Sequence, residues 1–387
     1  MELPDLAGCV PAAPEQIRWI EDAGALDAWL EDHQGRPLAL DTEFERVSTF
    51  YPIPGLVQLG CGADYCLVDP SVAAASHRFR QVLEDPSRLK LLYAMSEDLE
   101  LFRHWLGVQP AGVVDLQIGA AMAGAGFSMG YARLVEGLFG ESLDKSASRS
   151  DWLNRPLSEA QQRYALDDVR FLEPLYRWVR ETLEEKGLAD ALREESDRFA
   201  RELAAQDDPD MHYLRLRGGW ALSDERQKLL RSLVIWREQA ARRKDRPRSR
   251  VVPDAALIAL AESRPDSLPG LSRIPDLSPG IIRRYGELLL DMLAADPSGL
   301  PALPAVIPGP LTRDQQALYK KLRKRLVAVA EARGIPIELL APRRRLEAMI
   351  QQAAMGEDPC NGGLFEEQWR RELLEPLQDD IRGILTP

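Results

Sequence analysis

The stretch LALDTEFERV, Leu38 to Val47, ends an apolar run with two carboxylates, Asp41 and Glu43, one residue apart. In an extended strand residues i and i+2 share a face, so both side chains aim at one spot. Two ionised carboxylates held together repel and are costly to desolvate, so such a pair shares a proton or holds a cation. A hard divalent cation is the natural guest of an all-oxygen pair. Asp and Glu at this spacing also serve simply to close a strand and enter a turn, and the surrounding chain decides between the two roles.

Strand signals at Leu38–Phe44, Leu56–Cys61 and Tyr65–Val68 lie close together. The first two are joined by a loop containing Tyr51, Pro52, Pro54 and Gly55, and the third ends at Asp69-Pro70. Upstream, a short apolar segment around Ile17–Ile20 precedes Asp22 and a helical pattern over Ala25–Glu31. Downstream, a helix from Ser76 to Leu83 leads into the apolar run LKLLYAM, ending at Met95. Neighbouring strands followed by strands that alternate with helices predict a mixed α/β sheet.

SEDLELFRHWLG follows at once. Ser96 is the expected N-cap, and Leu99, Phe102 and Leu106 mark one apolar helical face. Asp98 then sits in the first turn, where the helix dipole also favours a carboxylate. The next strand, GVVDLQI, carries Asp115, which reads as a structural helix cap. From Leu143 the chain becomes LDKSASRSDWLNRPLSEAQQRYALDDVRFLEPLY, an exposed loop and then a helix opened by the capping box Ser158 and Gln161. Tyr164 and Asp168, four apart, share a face of that helix, which excludes Asp167 from it. Trp152 reads as a core anchor, Lys145, Arg149 and Arg155 as candidates for phosphate contacts, and Pro174 as a bend or break further on.

A length of 387 residues predicts two or three domains. No apolar run approaches a membrane span and no charged-then-apolar leader opens the sequence, so a chain neither membrane-spanning nor exported is expected. The four cysteines, Cys9, Cys61, Cys66 and Cys360, lack metal-ligand spacing and read as ordinary thiols. The net charge of −12 is unevenly spread: residues 212–293 hold 16 Lys and Arg against 10 Asp and Glu, whereas the first 211 residues carry −18. An acidic first half beside a basic middle suits a metal-carboxylate centre joined to a module that grips a polyanion.

The ordered set Asp41-x-Glu43, Asp98 in a strand-to-helix turn, and Tyr164-x-x-x-Asp168 resembles the DEDD family of 3′→5′ exonucleases, in the subgroup with a tyrosine in its third motif. The wording around these residues, LALDTEFERVSTFYPIPGLVQLG, SEDLELF and LDKSASRSDWLNRPLSEAQQRYALDDV, is similar to the ribonuclease D family over roughly residues 15 to 205. The resemblance implies a ribonuclease H-like mixed-sheet exonuclease domain over residues 1–208 with two divalent metal ions, Mg²⁺ or Mn²⁺. Asp41, Glu43 and Asp168 would gather around the first ion, and Asp41 with Asp98 would hold the second. Tyr164 would orient the attacking water, since an unperturbed phenol is a poor base at neutral pH.

Residues 209–294 resemble an HRDC domain, 295–310 form a proline-rich connector, and 311–387 resemble a second, diverged HRDC-like helical domain, so two small all-α domains are expected after the catalytic one. Arg242, Arg243, Lys244, Arg246, Arg248 and Arg250 are candidate phosphate contacts, and Tyr51 a candidate stacking surface for the terminal base. The family reading implies a cytoplasmic exoribonuclease that trims tRNA precursors with 3′ extensions and binds no membrane; the oligomeric state stays open, with a monomer favoured. The alternatives are a DNA exonuclease and a catalytically silent RNA-binding protein. Removing residues 212–387 is expected to weaken binding of structured RNA and to spare chemistry on short oligonucleotides.

Overall fold

A computed structural model describes residues 3–9, 12–14 and 16–385. Its N-terminal elements are β1 (Arg18–Ile20), α1 (Ala23–Asp32), β2 (Leu38–Glu45), β3 (Ile53–Cys61), β4 (Asp64–Val68), α2 (Pro70–Ala75), α3 (His77–Glu84) and β5 (Lys90–Leu92). There follow α4 (Ser96–Leu106), β6 (Val113–Asp115), α5 (Leu116–Ala123), α6 (Tyr131–Phe139), α7 (Glu159–Arg170), α8 (Leu172–Glu185) and α9 (Ala191–Ala205).

The strands make one mixed sheet in the order β1-β4-β3-β2-β5-β6. The short connections produce the antiparallel pairs β2–β3 and β3–β4, whereas the helical crossovers produce the parallel pairs β2–β5, β5–β6 and β1–β4. β2 is central, so its first half is buried and apolar, and the register slips between Glu43 and Phe44 where the strand leaves the core. Pro174 lies in the first turn of α8, where a missing N–H is tolerated, and the break between α7 and α8 falls ahead of it.

By packing, the chain forms two units. The first gathers the residues up to Glu45, Ile53–Arg201 and the residues from Leu311 onward. The C-terminal helices α15 (Arg313–Arg333), α16 (Ile337–Leu340), α17 (Arg343–Ala354), α18 (Gln368–Leu374) and α19 (Gln378–Leu385) therefore do not stand apart. Leu322, Leu326, Leu346 and Ile350 share one buried cluster with Leu91, Val114, Leu175 and Val179 of the sheet layer. Lys186 Nζ ties the two parts again, donating to the carbonyls of Met122, Ala123 and Gly334 at 2.9, 3.1 and 3.1 Å. Residues 212–387, whose removal is expected to spare chemistry on short oligonucleotides, thus include helices that cluster with the catalytic unit.

The second unit comprises Arg46–Pro52 and Glu202–Pro310. It is helical, built from α10 (Asp224–Arg243), α11 (Arg248–Val251), α12 (Asp254–Ser263), α13 (Leu268–Leu271) and α14 (Pro279–Ala294) around Leu230, Val234, Leu257 and Leu289. Among the described residues no helix is long and apolar enough to cross a membrane.

Candidate active site

Period-two alternation in β2 turns Asp41 and Glu43 to one face of the sheet, and α7 packs across β2, β3 and β4 on that side. The capping box fixes where α7 starts: Ser158 Oγ accepts the Gln161 N–H at 3.2 Å and Gln161 Oε1 accepts the Ser158 N–H at 3.0 Å. Asp41, Glu43 and Asp168 each offer a carboxylate oxygen within 4.8 Å of the others. Tyr164 stands one turn earlier on the helix, its phenol near enough to Asp168 to influence that carboxyl, and its ring lies 6.0 Å from that of Trp152.

Trp152 is buried among Leu56, Leu67, Leu157 and Ala165, the anchor its sequence position predicts. It leaves no room at Gly55, where a Cβ would lie 2.8 Å from Trp152 Cβ and 3.2 Å from the Glu43 carbonyl. The glycine thus lets the loop before α7 close against the end of β2.

Asp98 sits in the first turn of α4, almost fully buried. It stands outside the 4.8 Å cluster, and its Oδ1 accepts the Thr42 hydroxyl at 2.5 Å. Asp167 turns aside and pairs with Arg170 at 3.2 Å. Arg155 is committed to structure: it meets Asp69 at 2.9 Å and the Gly55 carbonyl at 2.6 Å. Two polar neighbours escaped the sequence reading. Gln58, paired opposite Asp41 in the β2–β3 ladder and fully buried, donates Nε2 to Asp41 Oδ2 at 3.3 Å. Thr42, between the two carboxylates of the first motif, is the other; only knowledge of strand register could have found Gln58.

Burial, reinforced by Asp98, Asp168 and Glu43, holds the Asp41 carboxyl well above the usual carboxylate range. Glu43 is pushed up to about 9 by burial and then by Asp168 and Asp98. Burial and Asp167 raise Asp168 to about 8, against the lowering effect of the nearby Tyr164 hydroxyl. Burial raises Asp98 to about 6, opposed by Thr42. No cationic side chain figures among the main influences on these four groups. Gln58 Oε1 is moreover buried without a partner among the described residues. A crowded, all-oxygen donor set with this unrelieved negative charge, beside an orphaned acceptor, fits a hydrated hard divalent cation.

The basic candidates lie in the second unit, in mixed settings. Arg242 pairs with Asp207 at 2.7 Å and Arg248 with Glu238 at 2.7 Å, and both guanidinium groups lie over the buried ring of Phe50, 5.1 and 4.6 Å from its centroid. Lys244 reaches the Tyr285 hydroxyl at 3.0 Å. Arg243, Arg246 and Arg250 are exposed. Tyr51 packs edge-on against Phe50, and Asp245 accepts the backbone N–H groups of both residues at 2.9 and 3.0 Å.

Known proteins match both parts of the chain. Residues 17–184 match the 3′-5′ exonuclease family and residues 226–293 the HRDC domain family, which defines a nuclease with a helical accessory module. Ribonuclease D of Pseudomonas paraeruginosa is 39% identical over 363 residues, 93% of this chain and 96% of that protein. Ribonuclease D of Escherichia coli K12 is 33% identical over 87% of this chain and 90% of its own length. The crystal structure of E. coli RNase D, described as an exoribonuclease involved in structured RNA processing, superposes with a TM-score of 0.83 at 32% identity, covering 96% of this chain and all of that one. The chain therefore belongs to the ribonuclease D family of metal-dependent exoribonucleases.

Proposed function

We propose that the protein removes nucleotides one at a time from the 3′ ends of RNA, releasing nucleoside 5′-monophosphates, with tRNA precursors bearing 3′ extensions as its leading substrate. The convergence of Asp41, Glu43 and Asp168, with Tyr164 one turn before Asp168 on α7, carries the reading. Asp41, Glu43, Asp98 and Asp168 would hold two divalent ions, Mg²⁺ or Mn²⁺. Bound there, such ions supply Lewis acidity at the phosphate and lower the pKa of an attacking water.

The chain's own groups do the rest. Burial, with Asp168, Glu43 and Asp41 beside it, raises the Tyr164 phenol further above its ordinary value, so it stays protonated and serves to orient water rather than to take its proton. A cavity of about 210 Å³ beside it has Tyr131, Ala132, Leu143, Asp144, Lys145, Ser148, Tyr164, Asp167 and Asp168 in its lining. Lys145 supplies that lining with a cation for a substrate phosphate. In the second unit the exposed Arg243, Arg246 and Arg250 are the residues able to add salt-dependent phosphate contacts. A cytoplasmic monomer accords with this reading.

Replacing Tyr164 by Phe removes the hydroxyl that would orient the water, a hydrogen bond to a charged group worth about 1.5–3 kcal/mol, and is expected to lower kcat by about 10- to 100-fold while KM stays near the parent value; a rise confined to KM would assign the tyrosine to binding. The function itself is tested by end-labelled digestion with Mn²⁺ or Mg²⁺ of a tRNA carrying extra 3′ nucleotides, an unstructured RNA and single-stranded DNA of the same sequence. Stepwise release of 5′-monophosphates from RNA, with a stop near the mature tRNA end, is the expected result. Preference for DNA would move the protein to the DNA-exonuclease reading. No metal-dependent cleavage at all would leave an RNA-binding protein on an exonuclease fold.

A further inference from the structure

Asp115 ends β6 and is almost wholly buried. Its carboxylate accepts the Gln117 N–H at 2.9 Å, the ordinary N-cap bond of α5. It also accepts the N–H groups of Ala94 at 3.1 Å and Met95 at 3.2 Å. Those two residues form the turn between β5 and α4, in which Ala94 adopts a left-handed φ of 57°. α4 is preceded by Met95, whose side chain makes no capping bond, so a carboxylate from the neighbouring strand satisfies donors that the helix's own cap does not. Asp98 lies three residues beyond Met95 in that first turn. Asp115 is fixed in turn from behind, its own N–H donating to the buried Ser196 Oγ of α9 at 3.1 Å.

A cap needs only the bond to Gln117; the two further bonds immobilise the turn that launches α4. We infer that Asp115 is a positioning residue for Asp98, holding the Ala94–Met95 turn so that the Asp98 carboxylate meets the divalent cation beside Asp41. The inference rests on the proposed cation site. Groups behind metal ligands matter in this way because small displacements of a ligand forfeit affinity, typically 10- to 100-fold.

Asp115→Asn keeps one acceptor oxygen and replaces the other by an N–H₂ that cannot accept from the backbone. With the full chain, Mn²⁺ binding measured by calorimetry should weaken by about tenfold or more, and the Mn²⁺ midpoint of activity should rise in step with KM for an oligonucleotide unchanged. Asp22→Asn, which alters the cap of α1 on the Ala25 N–H, is the control and should leave both values alone. Parental Mn²⁺ affinity in a folded Asp115→Asn protein, or an equal loss in Asp22→Asn, overturns the inference. Should Asp115→Asn fail to fold, Ser196→Ala carries the test: a weaker loss of Mn²⁺ affinity in the same direction supports the inference and parental affinity overturns it. Absence of Mn²⁺ binding in the unaltered protein would instead overturn the cation site, and this inference with it.

Discussion

Asp168→Asn should abolish hydrolysis and, in the same protein, raise the melting temperature measured in EDTA. The first effect follows from removing a charged donor from the cluster with Asp41 and Glu43. A bound cation supplies several kcal/mol of transition-state stabilisation, so its loss is expected to cost about 10³-fold or more in kcat. The second effect follows from the same crowding. Asp98, Asp168 and Glu43 are pushed up to about 6, 8 and 9, and Asp41 is raised as well, so the folded state resists their ionisation while the unfolded chain does not. Stability from these groups is fully present below their unfolded values near 4 and is lost as pH rises through the folded ones. The metal-free protein should therefore melt at progressively lower temperature between about pH 5 and pH 9, and Mn²⁺ should reverse the loss. An amide at position 168 keeps the size of the side chain but removes one charge, so the slope should flatten and the response to Mn²⁺ shrink. Asp41→Asn should behave alike. Parental turnover, or a lower melting temperature in EDTA than the parent's, would remove Asp168 from the proposed site.

The residues of this site were legible wherever the signal is local. Two-residue periodicity placed Asp41 and Glu43 on one face, four-residue spacing did the same for Tyr164 and Asp168, and the capping box at Ser158 marked the start of α7. What escaped depends on pairing between distant segments. Gln58 is a partner of Asp41 only because of the β2–β3 register, and Thr42 reaches Asp98 across 56 residues of chain. Ser96 has the chemistry of an N-cap, yet α4 begins on Ser96 itself, and Asp115 from the adjacent strand takes up the N–H groups of the turn before it. A helical pattern likewise reveals an apolar face and not what covers it. The pattern at 313–333 reads equally well as a free-standing helical module, whereas Leu322 and Leu326 are buried in the core of the catalytic unit.

That shared core predicts the consequence of replacing Arg370 by Ala. The guanidinium is fully buried, with Nη2 2.7 Å from Glu195 Oε2, a second ion pair to Glu367, and Nε donating to the Leu340 carbonyl at 2.9 Å. Burial alone would raise the Glu195 carboxyl, but Arg370 and Arg198 hold it below its ordinary value. Burial also pulls Arg370 down, although a guanidinium starts so high that it remains charged. Deleting one partner of such a network strands carboxylates in a dry site, which typically costs about 3–5 kcal/mol. Arg198 and Arg345 still reach Glu195 and Glu367 at 2.6 and 2.7 Å, which places the expected loss near the lower end. Urea unfolding followed through the tryptophans should show it. A chain ending at residue 310 should fare worse, because it also removes Leu322, Leu326, Leu346 and Ile350 from the buried cluster they share with the sheet layer; it is expected to aggregate or to be digested rapidly by protease, and to be inactive even on short oligonucleotides. If residues 311–387 were instead an appended substrate clamp, both changes would leave the exonuclease stable and active on those substrates. Parental stability of Arg370→Ala, together with a soluble and active chain ending at 310, would refute the shared core.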